Sequence, residues 1–198
     1  MRLFVAIELD DDARGAVAAE QKRLKSAFGD RAGSALRWIR PEHMHLTLAF
    51  LGELDDSRSH TVVEAIRQPI QGGRFSIVFG GLGVFPSGGA PRVLWLGLVS
   101  GAREVGNVQH QVAERLAPLG TAPEPRPFHP HLTLARWRTS GQPDRRRALA
   151  ADGGRDVARL DVETVALIQS RLSSAGPIYV TLCEGRLGDS AAPPLQSD

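Results

Sequence analysis

The order of apolar and polar residues along the chain predicts short strands interleaved with helices. Strands are predicted where runs of β-branched and other apolar residues end at glycine, proline or polar residues. The predicted strands are Leu3–Leu9, Leu36–Ile39, His45–Leu51, Arg74–Phe79, Arg92–Val99, His131–Trp137, Leu160–Ile168 and Ile178–Cys183. A glycine- and proline-rich stretch, Gly80–Pro91, predicts an irregular connection between the fourth and fifth of them.

Three helices are predicted from their end signals and their spacing. The acidic residues Asp10–Asp12 suit the start of a helix, which then runs to Phe28 and ends near Gly29. A second helix is predicted over Arg58–Arg67, closed by a following proline. In the third, Ala102–Leu116, three valines and a leucine recur at helical spacing and predict a face that packs on the core.

The remaining stretches are predicted to be irregular. Pro118–Pro130 is rich in proline, Arg138–Gly154 is polar, and residues 188–198 have the composition of a flexible tail. Residues 1–187 are then predicted to form a single bilobal domain. Because several adjoining strands have short connections, the pattern favours an α+β fold with mostly antiparallel pairing over a parallel doubly wound sheet.

A six-residue sequence occurs twice, and this repeat is the main functional signal. Residues 45–50 read HLTLAF and residues 131–136 read HLTLAR, so five of six positions agree. Each copy follows another histidine by two residues, at His43 and His129. Two lobes related by a pseudo-twofold axis would bring the two strands together at a central cleft, with the helices outside.

Strand geometry predicts which side chains of the repeat reach that cleft. Side chains alternate along a strand, so His45 and Thr47 share one face, as do His131 and Thr133, while the intervening leucines pack into each lobe. Two imidazoles and two hydroxyls around one small volume form an arrangement that can hold a phosphate. The sequence therefore predicts a phosphate-binding site built from these four side chains.

The same four side chains suit the hydrolysis of a cyclic phosphodiester. A base must deprotonate water and an acid must protonate the departing ribose oxygen, and histidine can fill both roles near neutrality. The pair should titrate together and give a bell-shaped rate profile. The threonine hydroxyls, Thr47 and Thr133, can donate to the non-bridging phosphate oxygens. Ring strain in a cyclic phosphate means that this chemistry needs no metal in principle.

Composition narrows the classes of protein without identifying one. The net charge of +2 is not that of a histone-like polycation, although arginine supplies all positive charges except Lys22 and Lys25. The single cysteine, Cys183, excludes an intrachain disulfide and favours a reducing compartment. With no signal-peptide pattern at the start and no apolar run of membrane-spanning length, a cytoplasmic protein is expected.

At these motifs the chain resembles the two-histidine phosphoesterases, specifically the LigT-like RNA 2',3'-cyclic phosphodiesterases. The resemblance extends from about Arg2 to Leu182 and matches the family at both motif positions. It is carried by four segments: Arg2–Ile7, His45–Glu53, Val93–Gly97 and Arg126–Arg136.

The resemblance implies a bilobal α+β fold and hydrolysis of 2',3'-cyclic phosphate to a 2'-phosphomonoester without metal or other cofactor. His45 would be the acid and His131 would position or activate water. Phe50 and Arg136 would hold the terminal nucleobase, although in an ideal strand both point away from the cleft, so a bulge is required. The expected partners are cyclic nucleotides and RNA with cyclic phosphate ends, including tRNA fragments, bound by a monomer.

Other functions remain open on the sequence. They are a 2'-5' RNA end ligase, a phosphoesterase acting on another small cyclic phosphate, a non-catalytic RNA-end-binding module and a metal-dependent hydrolase. The last would use the histidine pairs that include His43 and His129, which are otherwise predicted to be structural. Five arginines are predicted to contact RNA phosphates: Arg126, Arg136, Arg138, Arg92 and Arg40. Arg145–Arg147 is predicted to be a solvated loop, and Trp38 and Trp95 are predicted to lie in the core.

Overall fold

A computed structural model describes residues 1–29, 35–120, 127–173 and 176–188 of the chain. The ten strands in these ranges are β1 Arg2–Glu8, β2 Leu36–Trp38, β3 His45–Glu53, β4 Ile70–Gln71, β5 Phe75–Phe85, β6 Val93–Ser100, β7 Leu132–Trp137, β8 Asp156–Val162, β9 Thr164–Ser173 and β10 Gly176–Gly188. The four α-helices are α1 Asp11–Phe28, α2 Asp56–Arg67, α3 Ala102–Leu116 and α4 Gln142–Ala150.

The strands form one sheet that is built from two similar halves. Its order is β4-β10-β9-β1-β3-β7-β6-β5-β8, with β2 paired to β7. Every recorded pairing is antiparallel except that of β10 with β4. The halves meet at β3 and β7, where Leu46 pairs with Leu132. From that junction each half continues through three antiparallel strands, which confirms the predicted α+β fold with two related lobes.

The helices cover one face of the sheet and leave the other face open for a site. In the first lobe α2 packs on β9 and β10, and α3 packs on β3 and β4. In the second lobe α1 packs on β8 and α4 on β5. The main core lies between helices and sheet and is continuous across both lobes. On the opposite face, a smaller cluster of Phe4, Ala6, Ala166 and Ile168 lies in the first lobe.

The lobes do not correspond to the two halves of the sequence. Strands β1, β9 and β10 come from opposite ends of the chain and lie together in the first lobe, beside β3. The helices also cross over: α1 follows a strand of the first lobe but packs on the second, and α3 does the reverse. Each lobe is therefore packed in part by a helix that follows a strand of the other lobe.

Most element predictions agree with the structure, but three are wrong. The stretch Gly80–Phe85 continues strand β5 instead of starting a loop. The predicted loop Arg138–Gly154 contains helix α4, which buries only Ala148 and so shows no apolar stripe. The predicted strand Leu160–Ile168 is two strands that meet at Glu163.

The predicted tail, residues 188–198, begins one residue too early. Gly188 closes β10 and pairs with Gln71, so it does not belong to a tail. Residues 189–198 of the predicted tail, and residues 121–126 of the predicted proline loop, lie outside the described residues. Within the described ranges, no helix combines the length and apolar character needed to cross a membrane.

Candidate active site

The four side chains of the repeated motif lie on the open face of the sheet, at the junction of the lobes. Leu46 and Leu132 pair across the junction and are both fully buried on the helix side. Alternation therefore turns the flanking His45, Thr47, His131 and Thr133 to the other side, which we call the cleft face. The antiparallel register brings His45 toward Thr133 and Thr47 toward His131. The predicted quartet is thus brought together by backbone pairing.

A β-bulge in β3 turns Phe50 toward the cleft face. Ala6 pairs with Thr47, but the next residue of β1, Val5, pairs with Ala49, so Leu48 is the extra residue. The new register continues for one more pair, so that Phe50 lies opposite Phe4. Cross-strand partners share a face, so Phe50 joins the side that carries the motif histidine. Its ring centroid lies 6.3 Å from that of Phe4, and 69% of the residue is exposed.

The second motif strand carries a bulge at the equivalent position. Trp95 pairs with Thr133, but its neighbour Leu94 pairs with Ala135, so Leu134 is the extra residue. Arg136 consequently shares the cleft face with Thr133. Both bulges fall three residues after the motif histidine, so the required bulge is present in both lobes.

The buried side of this second bulge is held by a glutamine from α1. Gln21 is only 2% exposed, and its Nε2 donates to the carbonyl oxygens of Leu134 and Ile39, each at 2.9 Å. The Leu134 carbonyl also accepts from the Ile39 N–H at 2.9 Å, so the amide joins the end of β2 to the bulge of β7. Gln21 therefore fixes the strand shape that points Arg136 into the cleft.

Aromatic side chains hold His45 in place. Its imidazole stacks on Phe4 with ring centroids 4.6 Å apart, and the edge of Tyr179 approaches it at 5.3 Å. Tyr179 also contacts Phe4 and His43. No feature of the sequence marks Tyr179 as a site residue, because its ring comes near His45 only after both ends of the chain pair in the first lobe, with β9 and β1 between β10 and β3.

His131 has an equivalent aromatic support from the second lobe. Phe85 meets it edge to face at 5.0 Å, and Trp95 lies 6.1 Å away. Its Nδ1 lies 2.7 Å from the carbonyl oxygen of His129. Since a carbonyl can only accept, Nδ1 carries the proton and the neutral ring keeps a lone pair on Nε2. The backbone carbonyl of His129 thus orients the imidazole of His131.

The indole of Trp95 belongs to the cleft face and not to the core, which corrects the prediction. Its ring lies over Gly83, where an added Cβ would fall 2.0 Å from a ring carbon. The ring also packs on His129 at 4.8 Å and on Phe85 at 5.1 Å. A glycine at 83 is therefore needed for the indole to lie flat beneath the histidines. Trp38, in contrast, packs against the core as predicted.

Both motif histidines have depressed pKa values. Burial lowers the pKa of His45 to about 4, and the neighbouring positive charges of His43 and Arg136 add to that shift. Burial also lowers the pKa of His131, with the same kind of contribution from His129 and Arg136. In each case a hydrogen bond to the backbone two residues earlier opposes the shift. Both imidazoles are therefore neutral at pH 7, and Arg136 acts on both.

The other predicted side chains have varied surroundings. Arg126 lies outside the described residues. Arg138 and Arg92 are exposed near the end of β7, and Arg40 lies 3.9 Å from Glu42. The Arg145–Arg147 segment is helical and not a solvated loop. The Arg145 guanidinium donates to the carbonyls of Pro86, Ser87 and Gly89 and joins α4 to the bend that follows β5.

The histidines of the two motifs do not form a metal cluster with acidic or sulfur ligands. Across the ranges that the structure describes, no three His, Cys, Asp or Glu side chains gather closely enough to bind one ion. What the site does contain is two neutral imidazoles, two hydroxyls and a guanidinium on one face. This set can exchange protons with a bound phosphate and donate hydrogen bonds to it.

Comparison with known proteins shows which family the chain resembles. Residues 5–173 match the model of the 2'-5' RNA ligase superfamily. The chain is 35% identical over 169 residues to an RNA 2',3'-cyclic phosphodiesterase of Aeropyrum pernix, covering 85% of this chain and 95% of that one. It is 33% identical over 182 residues to the enzyme of the same name from Archaeoglobus fulgidus, covering 92% and 98%.

Solved structures agree with the fold. The crystal structure of TT0787 of Thermus thermophilus superposes with a TM-score of 0.67 at 27% identity, covering 94% of this chain and 98% of that one. Escherichia coli LigT complexed with 3'-AMP gives a TM-score of 0.71 at 25% identity, covering 94% and 97%.

Proposed function

We propose, from the premise that this chain belongs to the 2'-5' RNA ligase superfamily, that it hydrolyses RNA 2',3'-cyclic phosphates to 2'-phosphomonoesters. The main evidence is that His45, Thr47, His131 and Thr133 lie together on one face of the lobe junction. Relatives named RNA 2',3'-cyclic phosphodiesterase, at 33–35% identity over most of the chain, support the same reaction.

The roles of the four side chains follow from the chemistry of in-line displacement. His131 accepts a proton from water on Nε2 while the water oxygen bonds to phosphorus. The bond from phosphorus to the 3' oxygen breaks, and His45 gives its proton to that oxygen. Thr47 and Thr133 donate to the non-bridging oxygens, whose charge is held through the pentacoordinate transition state. The two histidines exchange protonation states in the reaction, and solvent restores them.

The depressed pKa values fit this division of work. The base must be neutral, and His131, with its Nδ1 proton committed to the His129 carbonyl, is neutral near pH 7. The acid must gain a proton, and a bound phosphodiester anion favours the charged imidazole of His45. Phe50 and Arg136 are proposed to enclose the terminal base, and stacking on them would give little base preference.

Product identification tests the proposed reaction. The wild-type protein is incubated with adenosine 2',3'-cyclic phosphate in excess EDTA, and the 2'- and 3'-phosphates are separated by chromatography. We expect turnover to the 2'-phosphate alone, since the 3' oxygen is the proposed leaving group. Release of the 3'-phosphate would reverse the assigned leaving group, and activity abolished by EDTA would favour the metal-dependent hydrolase.

The pH dependence of kcat/KM provides a prediction from the pKa shifts. The reactive free enzyme has one neutral and one protonated histidine, so its fraction peaks between the two pKa values. The pKa of His45 is lowered to about 4, and the pKa of His131 is lowered from 6.5. The maximum of kcat/KM is therefore expected on the acid side of pH 6.5. The profile is measured with uridine 2',3'-cyclic phosphate, whose base does not titrate in this range.

The pH profile of kcat and that of the Arg136→Gln variant should both differ from the wild-type kcat/KM profile. The maximum of kcat is expected at higher pH than that of kcat/KM, because bound phosphate raises both pKa values. Arg136→Gln removes a positive charge that lowers both, so it is expected to move the kcat/KM maximum upward. A kcat/KM maximum on the alkaline side of neutrality would contradict the assignment of these two groups.

RNA end joining is the second candidate, and the family match over residues 5–173 favours it. Attack by a 5'-hydroxyl in place of water would use the same acid and base and would form a 2'-5' linkage. Supplying a 5'-hydroxyl oligonucleotide with the cyclic phosphate end tests for it. We further propose that the protein works as a monomer in the cytoplasm, with tRNA fragments among its substrates, because one chain supplies both motif strands.

A further inference from the structure

Two arginines lie side by side on the cleft face, next to the proposed base site. Arg37 of β2 pairs directly with Arg136 of β7, so their side chains project from the same face of the sheet. The next cross-strand pair, Leu36 with Trp137, turns the other way and is buried. Both arginines are exposed. Like charges directly opposite each other on neighbouring strands destabilise a sheet unless an anion lies between them.

No protein group supplies that anion within the described ranges. None of the ion pairs formed there includes Arg37 or Arg136. Most arginines of the same regions do have a carboxylate or carbonyl partner, as Arg155 has Glu20 and Arg145 has three carbonyls. The pair on the cleft face is therefore free to bind a ligand.

The position of Arg37 relative to the first lobe is given by two residues of β10. The positive charges of Arg136 and Arg37 both act on the phenol of Tyr179, whose ring contacts His45. A Cβ built on Gly176 would lie 3.8 Å from a terminal nitrogen of Arg37. Arg37 thus lies beside Arg136 and extends toward β10 of the first lobe.

We infer that Arg37 binds the phosphate on the 5' side of the terminal nucleoside, which makes the site selective for RNA ends over cyclic mononucleotides. This inference rests on the proposed function, since it takes the cyclic phosphate to lie at the histidines and the base beside Arg136. The next phosphate then lies one nucleoside away, and a guanidinium beside Arg136 can bind it bidentately. A cyclic mononucleotide has no such phosphate and leaves Arg37 unused.

The test compares substrates that differ only on the 5' side. They are adenosine 2',3'-cyclic phosphate, its 5'-phosphorylated form and the dinucleotide ApA with a 2',3'-cyclic phosphate end. For wild type, kcat/KM should be higher for the latter two. Arg37→Ala should lower this preference by roughly tenfold or more, because each charge-assisted hydrogen bond accounts for about that factor. Arg37→Lys should keep part of the preference, and Arg159→Ala, at an exposed arginine on the outer strand β8, should keep all of it.

Salt dependence gives a second measure that a structural defect would not mimic. For the dinucleotide, the slope of log kcat/KM against log salt should become shallower by about 0.7 in Arg37→Ala, one phosphate contact having been lost. An Arg37→Ala enzyme that keeps the full substrate preference, or that loses activity equally on all three substrates, would overturn the inference.

Binding measurements separate this inference from the proposed reaction. The affinity of ApA ending in a 2'-phosphate is compared with that of adenosine 2'-phosphate by calorimetry, without any turnover. A roughly tenfold loss of the difference in Arg37→Ala supports the Arg37 site even in a protein that hydrolyses nothing. An unchanged difference rejects the Arg37 site while leaving the phosphodiesterase intact.

Discussion

Replacing either His45 or His131 with alanine is expected to lower kcat/KM on 2',3'-cyclic nucleotides by about 10²–10⁴-fold. Each imidazole transfers a proton in the same transition state, so removing either one leaves water or hydroxide to do its work. The double variant is expected to be little worse than either single variant, because the two act as a unit. Initial rates with adenosine 2',3'-cyclic phosphate, corrected for uncatalysed hydrolysis, measure all three.

The control for these variants is His110→Ala. His110 lies on the exposed side of α3, 3.3 Å from Glu114 and away from the cleft, so its loss should leave kcat/KM unchanged. Urea unfolding of each variant checks that the stacking of His45 on Phe4 is not needed for folding. An alanine variant at either motif histidine that stays folded and within about threefold of wild type would refute its role in proton transfer.

The sequence predicted those elements whose causes are local. Helix α1 begins after Asp10, whose carboxylate accepts from the Ala13 N–H at 2.7 Å, and ends at Gly29 with positive φ. Helix α3 buries every residue of the stripe that predicted it, from Val105 to Leu116. In both cases the signal and the stabilising contact lie within a few residues of each other, so no knowledge of the tertiary structure was needed.

The wrong predictions concern features whose causes are tertiary. Glycines at 80 and 83 suggested a loop, but both residues lie in β5. They are glycines because neighbouring groups approach too closely for a side chain. A Cβ at Gly80 would come within 2.9 Å of the Arg155 carbonyl, and one at Gly83 would overlap the indole of Trp95. Helix α4 carries no apolar stripe and is held in part by hydrogen bonds from Arg145 to the bend that follows β5. None of these contacts can be inferred from spacing along the chain.

The candidate site also has some residues that the sequence predicted and others that only the tertiary structure shows. The doubled motif predicted the four central side chains, and the LigT-like resemblance, which the family match confirms, implied that Phe50 and Arg136 face them. The bulges that make this possible depend on pairing with β1 and β6, and one of them on Gln21. The neighbouring aromatic residues and Arg37 carried no signal, because strands distant in sequence bring them to the cleft.

Removing either motif hydroxyl is expected to have the next largest effect. Thr47→Val and Thr133→Val keep a β-branched shape in a strand but lose a donor to the phosphate. We expect kcat to fall by about 10²–10³-fold in each, as when one preorganised donor to a developing oxyanion is lost. Thr→Ser at either position keeps the hydroxyl and should recover most of the activity. Steady-state kinetics on the dinucleotide substrate separate the change in kcat from that in KM.

The register at the lobe junction makes the threonine result informative about the histidines. Thr47 lies toward His131 and Thr133 toward His45, so each lobe contributes a donor beside the proton-transfer group of the other. Both valine variants should therefore keep the acid-side kcat/KM maximum while losing rate. Thr61→Val, which removes an exposed hydroxyl bonded within α2, serves as the control and should match wild type. A valine variant with near-wild-type kcat would leave phosphate binding to Arg136 and the histidines alone.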